Sequence, residues 1–326
     1  IMPSLVGSEM CIRDSDYVDL TGEVPFVRYS IDKAHETAAA SGARIVHSCG
    51  FDSIPSDLGV YALYQKISDD DAGQLTDTTL VMRAMRGGLS GGTIDSMRVL
   101  AEQAKDSQIR RLMLNPQSLS GGPGEVPKAS LSSEPSDLNI VSAKKVDPSL
   151  RGTLAPFFMA GHNTRIVRRS NVLLDNAYGP DFHYAETMNV GSIPAVSTIT
   201  AGAVGVGTGA FLGAMSFGPT RRLLDRVLPK PGSGPSEKAR DNGYFVSEGY
   251  TRTTTGRRFR AQMRAQGDPG YKATAVMLGE SALTLALDRD NLPPRTGVLT
   301  PAAAMGDALI GRLRTAGFTI EATELR

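Results

Sequence analysis

Two short stretches, Asp19-Leu20-Thr21-Gly22-Glu23 and Cys49-Gly50-Phe51-Asp52-Ser53-Ile54-Pro55-Ser56-Asp57, constrain the fold of this chain more than any other part of it. The first ends the β-prone run Tyr17-Val18-Asp19-Leu20 and the second follows Arg44-Ile45-Val46-His47; each run leads directly into a polar turn. Between them Pro25 suits a first helical turn, where its missing N–H costs nothing. Phe26, Tyr29, Ala34 and Ala38 recur at rough helical spacing, and Gly42 supplies the stop. Strand, helix and strand of this size make a βαβ unit with parallel strands. In open α/β sheets ligands bind outside the carboxyl ends of the strands, which is where both stretches fall. A dinucleotide-binding fold would place further strands and a glycine fingerprint upstream, and there is little room for them here. Residues 16–68 are therefore expected to be the C-terminal half of a Rossmann-type doubly wound parallel sheet, with Ser56 as N-cap of its next helix.

A length of 326 residues allows one large or two ordinary domains. Hydrophobic and charged fractions of 40% and 21% are ordinary for a globular protein, and a net charge of +1 gives nucleic-acid binding no support. Cys11 and Cys49 form no CxxC, which favours a reducing compartment. His35, His47, His162 and His183 show no metal-ligand spacing, so no metal is expected. Residues 1–15 read as translated adapter sequence and lack a signal-peptide pattern. We set them apart from the fold and expect the chain to be a fragment of a protein that begins well before Asp16.

The remainder, 69–326, reads as a larger α+β substrate or dimerisation domain. Thr76–Arg86 alternates and is β-branched at its start, and is expected to be a strand. A glycine-rich turn at 87–92 precedes a helix through Ile94, Met97 and Leu100, with Thr93 as its cap. Residues 115–150, rich in Ser, Pro, Gly and Lys, predict a flexible surface excursion. Strands are expected at Thr164–Arg168, Phe182–Met188, Tyr244–Thr254 and Phe318–Leu325, and helices at Lys272–Leu287 and Ala302–Arg314.

Several segments could carry chemistry. Residues 191–219 contain no charge, and Arg221, Arg222, Arg226 and Lys230 follow at once. That pattern suits a segment dipping into an anionic membrane face; a glycine-rich helix pair or loop buried within the domain is the alternative. Gly205-Val206-Gly207-Thr208-Gly209-Ala210 fits G-x-G-x-x-A, with Asp225 about twenty residues on. The surrounding pattern is not βαβ, so we read this match as a decoy. In a strand, Arg165 and Arg169 would face one side and Arg168 the other, a candidate site for carboxylate or phosphate, with a solvated ion-paired face as the alternative. Around Cys49–Asp57, Gly50 admits a planar ring, Asp52 and Ser53 offer hydrogen bonds, and the helix start offers N–H groups to an anion. Cys49 is either a nucleophile assisted by His47 or, the more frequent case, a buried structural thiol. Tyr184, Lys272 and His183 are candidate proton donors without spacing support.

The stretches YVDLTGEVPFVR, ARIVHSCGFDSIPSDLGVYALY, GGLSGGTIDSM, NTRIVRRSN, GDPGYKATAVMLGE and GVLTPAAAMGDAL cover nearly the whole chain after Ser15. Through them the sequence resembles the saccharopine dehydrogenase-like oxidoreductases, most closely their bacterial trans-acting enoyl reductase branch. The resemblance implies a Rossmann domain that binds NADP or NAD, followed by a substrate domain. It also implies hydride transfer to an enoyl bond on a lipid or polyketide chain in glycolipid synthesis. By position, Thr21, Gly22, Glu23, Cys49, Gly50, Phe51 and Asp52 would line the nicotinamide end of the site. No catalytic acid is implied. The family's phosphate loop would lie upstream of Asp16, so the fragment alone is expected to be inactive. The implied partners are a lipid-linked or acyl substrate, a membrane surface touched through 191–230 and a second copy of the chain, in the cytoplasm or peripheral at the plasma membrane. A saccharopine-type amino-acid dehydrogenase, hinted at by Arg165–Arg169, and a non-catalytic lipid-surface protein of the same fold are the alternatives.

Overall fold

The computed structural model describes residues 15–87, 91–129, 134–216, 220 and 234–326. The adapter-like leader (all but Ser15), Cys11 and the basic run 221–230 therefore lie outside the described residues. The chain has the α/β class expected of it. Its elements run β1 (Tyr17–Val18), α1 (Val24–Ser41), β2 (Arg44–Val46), α2 (Ile54–Asp69), β3 (Leu75–Arg86), α3 (Gly91–Gln103), α4 (Ser107–Leu114), β4 (Val141–Ser142), α5 (Ala143–Val146), β5 (Thr153–Pro156) and α6 (Ala160–Leu173). After these come β6 (His183–Asn189), α7 (Pro194–Ser216), α8 (Glu237–Asp241), β7 (Tyr244–Thr253), β8 (Arg258–Gln266), α9 (Lys272–Leu287), β9 (Gly297–Leu299), α10 (Pro301–Thr315) and β10 (Thr319–Leu325).

Two sheets organise these elements. The smaller has order β1-β2-β9 and is wholly parallel, Tyr17 pairing with Ile45 and Ile45 with Val298. Helix α1 joins β1 to β2 much as its sequence predicts. Pro25 stands in its first turn, and Val27, Ile31, Ala34 and Ala38 form its buried stripe. Gly42 closes it with φ +79°, the left-handed geometry that a side chain disfavours. The third strand, β9, arrives from near the other end of the chain, where the sequence pattern predicts no strand. The larger sheet has order β10-β8-β7-β3-β6-β5-β4, parallel only between β3 and β6.

Helix α2 lies between the sheets. Residues 54–63 are all buried, as suits a helix packed on every side. It begins at Ile54 with Ser53 as its N-cap, so Ser56 is inside the first turn. Ser56 does not cap the helix; its hydroxyl instead bonds Glu186.

Strand β8 is a further element that the sequence pattern did not predict, although Phe259, Ala261, Met263 and Ala265 alternate as one buried face. A second correction concerns Thr164–Arg168, expected as a strand, which is the middle of helix α6. Residues 115–128 follow an irregular path but are fastened to the core. Leu119 is buried, and Arg28 on α1 donates to the carbonyls of Gly121 (3.2 Å), Glu125 (3.3 Å) and Gly122 (2.7 Å).

Candidate functional site

The carboxyl ends of β1, β2 and β9 converge, and a polar knot ties the first two. Asp19 Oδ1 accepts the Thr21 N–H at 3.1 Å and the Ser48 N–H at 3.2 Å. Its Oδ2 accepts the Nδ1–H of His47 at 2.7 Å, and His47 Nε2 meets the Ser30 hydroxyl of α1 at 2.8 Å. Burial pushes the Asp19 carboxyl up, but the His47 ring and the two N–H donors outweigh it and hold the group below the usual carboxylate range. The Cys49 N–H donates to the Asp19 carbonyl at 2.7 Å, so the two strand ends are also joined through backbone.

Ser48 has φ +64°, a left-handed conformation uncommon outside glycine, and its hydroxyl explains how it is held there. It lies 2.8 Å from the Thr21 carbonyl and 2.8 Å from His162 Nε2, at the start of α6. A carbonyl only accepts, so the single hydroxyl proton goes to Thr21 and His162 Nε2–H donates to Ser48. This assigns the tautomer and leaves His162 Nδ1 as a buried lone pair without a partner among the described residues. Burial, followed by the nearby Arg165 charge, lowers His162 to about 3, so the ring is neutral. No local pattern marks His162, which lies more than a hundred positions from Ser48.

The residues expected at the nicotinamide end take different parts in this edge. Thr21 is in the knot. Gly22 faces Asp52 and Met159, where a Cβ would sit 3.6 Å from Asp52 Oδ2 and 3.8 Å from Met159 Cε. Glu23 precedes α1 and accepts the Ser96 hydroxyl of α3 at 2.8 Å, linking the small sheet to the larger unit. Cys49 is fully buried with its thiol directed at the Val46 carbonyl (3.5 Å), and burial pushes that thiol far up. It is a structural thiol, because His47, the base proposed for it, is taken by Asp19 and Ser30. Gly50 permits a close approach, since a Cβ would come within 2.6 Å of Leu20 Cδ2. The Phe51 N–H donates to Thr274 Oγ1 at 2.9 Å, and its ring stands edge-on to Phe245. Asp52, in the turn before α2, accepts no hydrogen bond among the described residues, and burial alone pushes its carboxyl up to about 6.

The arginine cluster behaves otherwise than expected. On helix α6, Arg165, Arg168 and Arg169 are all buried and bound to the protein itself. Arg165 pairs with Asp137 and donates to the Met113 carbonyl (3.1 Å). Arg168 pairs with Glu134 (3.1 Å) and donates to the carbonyls of Tyr184 (2.8 Å) and Pro116 (3.3 Å). Arg169 reaches the carbonyls of Leu119 (2.7 Å) and Val298 (2.6 Å); burial pulls it down to about 9, which still leaves it charged at neutral pH. They are rivets between α6, β9 and residues 115–128, with neither a solvated face nor an anion seat. Of the proton-donor candidates, Lys272 pairs with Asp241 and His183 with Asp77, while Tyr184 donates to Glu186 at 2.9 Å. Gly205, Gly207 and Gly209 lie inside helix α7, which settles the fingerprint there as a decoy.

A buried acid, Glu186, lies behind the strand-end edge. It accepts from Asn163 Nδ2 (2.9 Å), and Asn163 Oδ1 accepts the Ser53 hydroxyl (3.1 Å). Burial raises Glu186 from 4.5 to about 7 despite its donors. The folded state therefore binds a proton more tightly than the unfolded chain, and the stabilisation is lost as pH rises from about 4.5 to 7. Glu186→Gln is expected to flatten the fall in melting temperature between pH 5 and 8, by on the order of 3 kcal/mol at most. An unchanged slope would show that Glu186 does not carry it.

No protein-family model matches the chain. A Mycobacterium tuberculosis (strain ATCC 25618 / H37Rv) protein, provisionally named a trans-acting enoyl reductase, is 53% identical over 315 residues, 95% of this chain and 74% of that protein. The trans-acting enoyl reductase of Mycobacterium bovis (strain BCG / Pasteur 1173P2) is 46% identical over 316 residues, 95% of this chain and 75% of its own. That of Mycobacterium ulcerans (strain Agy99) is 46% identical over 318 residues, with the same two shares. With half of all residues shared across almost its whole length, the chain belongs to the trans-acting enoyl reductase family.

Proposed function

We propose that the chain carries the nicotinamide end and the substrate domain of an NAD(P)-dependent reductase acting on an enoyl group of a lipid-linked or polyketide acyl chain. The observation that carries this reading is that, among the described residues, two acceptors near the ends of β1 and β2 have no protein partner: the Asp52 carboxyl in the turn before α2 and the buried Nδ1 of His162 at the start of α6. Both can accept hydrogen bonds, and the amide and ribose hydroxyls of a nicotinamide nucleoside are donors, so the donor set fits. A reduced nicotinamide would supply hydride to the β-carbon. Gly50 lets Leu20 pack against the turn, where a Cβ would come within 2.6 Å of its Cδ2, and the Asp19–His47–Ser30 knot keeps the two strand ends in register. Asp52 is the proton source in this reading, because a carboxyl raised to about 6 gives up its proton near working pH. The arginines that hinted at an amino-acid substrate with several carboxylates are buried, which leaves that rival without support.

The test follows deuterium from the 4-position of the reduced nicotinamide into an enoyl thioester, using the chain lengthened with the remaining sequence of its relatives. Label at the β-carbon is expected; its absence would sink the reading. Asp52→Asn is expected to lower kcat/KM about 100-fold while leaving the cofactor Kd within about threefold. The wild-type rate should fall as pH rises above about 6, as Asp52 loses its proton, and the variant should lose that limb. A variant with the wild-type pH profile would remove Asp52 from the proton step.

A further inference from the structure

The turn Gly50–Ser53 is fastened at every residue except Asp52. Its own backbone closes it, the N–H groups of Ser53 and Ile54 both donating to the Gly50 carbonyl at 3.2 and 2.9 Å. From α9, Thr274 Oγ1 accepts the Phe51 N–H at 2.9 Å. The third hold comes from a hydroxyl that does not do what its position suggests. Ser53 is the N-cap of α2 but makes no side-chain cap. An N-cap oxygen accepts the N–H of the second or third helical residue, and the second here is Pro55, which has none. The Ser53 hydroxyl instead donates to Asn163 Oδ1 of α6 at 3.1 Å, in a fully buried contact.

Asn163 is itself held from behind. Its Nδ2 donates to Glu186 Oε2 at 2.9 Å, and Glu186 also takes the Tyr184 hydroxyl on Oε1 at 2.9 Å and the Ser56 hydroxyl. Both lie on β6, an inner strand of the large sheet. A line of hydrogen bonds therefore runs from that sheet through α6 to the turn, and a buried network whose members are satisfied is rigid. The residue before Asn163 completes the grip, because His162 Nε2–H donates to the Ser48 hydroxyl at 2.8 Å. Two successive residues of α6 thus hold both ends of 48–53. The carboxyl carried by that segment is aimed at the end of β1, with Asp52 Oδ2 lying 3.6 Å from where a Cβ on Gly22 would stand. A network serving only to tie α6 to β6 would need Asn163 and Glu186 but not the diverted hydroxyl of Ser53. We propose that Asn163, anchored by Glu186, is a positioning residue that aims the Asp52 carboxyl across the ends of β1 and β2. The catalytic side of this role rests on the reading of Asp52 as proton source; the hold on the turn does not.

Asn163→Asp keeps the acceptor that Ser53 uses and removes the donor that Glu186 uses, setting two carboxyls against each other. N163D/E186Q reverses the polarity of the pair, so that the amide donates from β6 and the carboxylate on α6 accepts both it and Ser53. In the lengthened chain of the deuterium assay, N163D is expected to lower kcat at least about tenfold, with KM and cofactor Kd within about threefold. N163D/E186Q should recover to within about threefold of wild type. N163D/D52N should be no slower than D52N alone, since a group that acts through Asp52 has nothing to add once Asp52 is gone. A second measurement needs neither substrate nor cofactor: the carboxyl carbon-13 resonance of Asp52, assigned with D52N in the present chain. It should shift in N163D and return in N163D/E186Q. Should N163D not fold, S53A cuts only the link to the turn and should move the same resonance. A resonance unmoved by either variant, a swap that restores nothing, or a loss in N163D that adds to that of D52N would overturn the role. Absent label transfer in the wild type, with the resonance moving as expected, would sink the reductase reading and leave the hold of Asn163 on the Asp52 turn standing.

Discussion

Asp57→Ala is expected to cost the fold about 3 kcal/mol, visible as a lower urea midpoint at unchanged m-value. Asp57 is a first-turn residue of α2, but its work is done elsewhere. Its Oδ2 accepts the Ala302 N–H at 2.8 Å, at the start of α10, and its Oδ1 accepts the Ser170 hydroxyl of α6. Ser170 in turn meets Thr300 Oγ1 at 2.6 Å. Thr300, the N-cap of α10, makes no side-chain cap of its own, so the cap is supplied from α2. One carboxyl thus joins three helices to the end of β9. Losing a helix cap costs about 1 kcal/mol, and leaving two buried donors unpaired adds roughly 1–3 kcal/mol. Burial raises Asp57 to about 7, so Asp57→Asn, neutral and nearly the same shape, is expected to cost only about 1 kcal/mol at pH 7. Equal losses in the two variants, or a loss under about 1 kcal/mol for alanine, would show that the junction does not depend on this group.

Asp19→Ala is expected to be comparably damaging, about 2–4 kcal/mol, and to act on the site as well as on stability. The carboxylate takes three donors, and its removal strands His47 Nδ1 in a site where the ring is 1% exposed. It also removes one of the contacts that hold Ser48 at φ +64°, a conformation that costs about 1 kcal/mol in a residue other than glycine. Without it the ends of β1 and β2 lose their register. Hydrogen-exchange protection should therefore fall at residues 19–23 and 47–52 more than in the large sheet. Uniform loss of protection would mean that the knot is only one part of a general core. Ser48→Gly separates the two effects, because it relieves the strained backbone while releasing His162. A near-neutral change in stability is expected, with any cofactor affinity reduced.

The sequence pattern was most legible where an element has one wet face or clear punctuation. Helix α1 showed its proline, its terminal glycine and Ala34 and Ala38 of its buried stripe, while Tyr29, expected in that stripe, is 47% exposed; β3, β6, β7 and β10 showed alternation or β-branched residues within a residue or two of their observed limits. Strand β8 carries the same alternation, Phe259, Ala261, Met263 and Ala265 facing the core between Arg258, Arg260, Gln262 and Arg264. Helix α6 was misread for a physical reason. Its residues 162–171 are buried on every side, so no amphipathic period survives, and the β-branched run Thr164, Ile166 and Val167 imitates a strand. Nothing local indicates that its arginines end on the carbonyls of Pro116, Leu119, Tyr184 and Val298.

By itself, the sequence determined the βαβ unit, its two strand ends, the uncharged run with its basic sequel and the trans-acting enoyl reductase family. Each of these is written in contiguous residues, as a period, a turn or a local composition. The tertiary structure alone decided that β9 completes the small sheet, that Cys49 is a buried structural thiol and the arginines are rivets, and that the Asp52 carboxyl and His162 Nδ1 have no partner among the described residues. Those outcomes depend on burial and on hydrogen-bond partners that lie far away in the chain. A side chain's charge, proton and reach are set by the groups folding brings against it, and for Ser48, His162 and Val298 those groups have no local trace in the sequence.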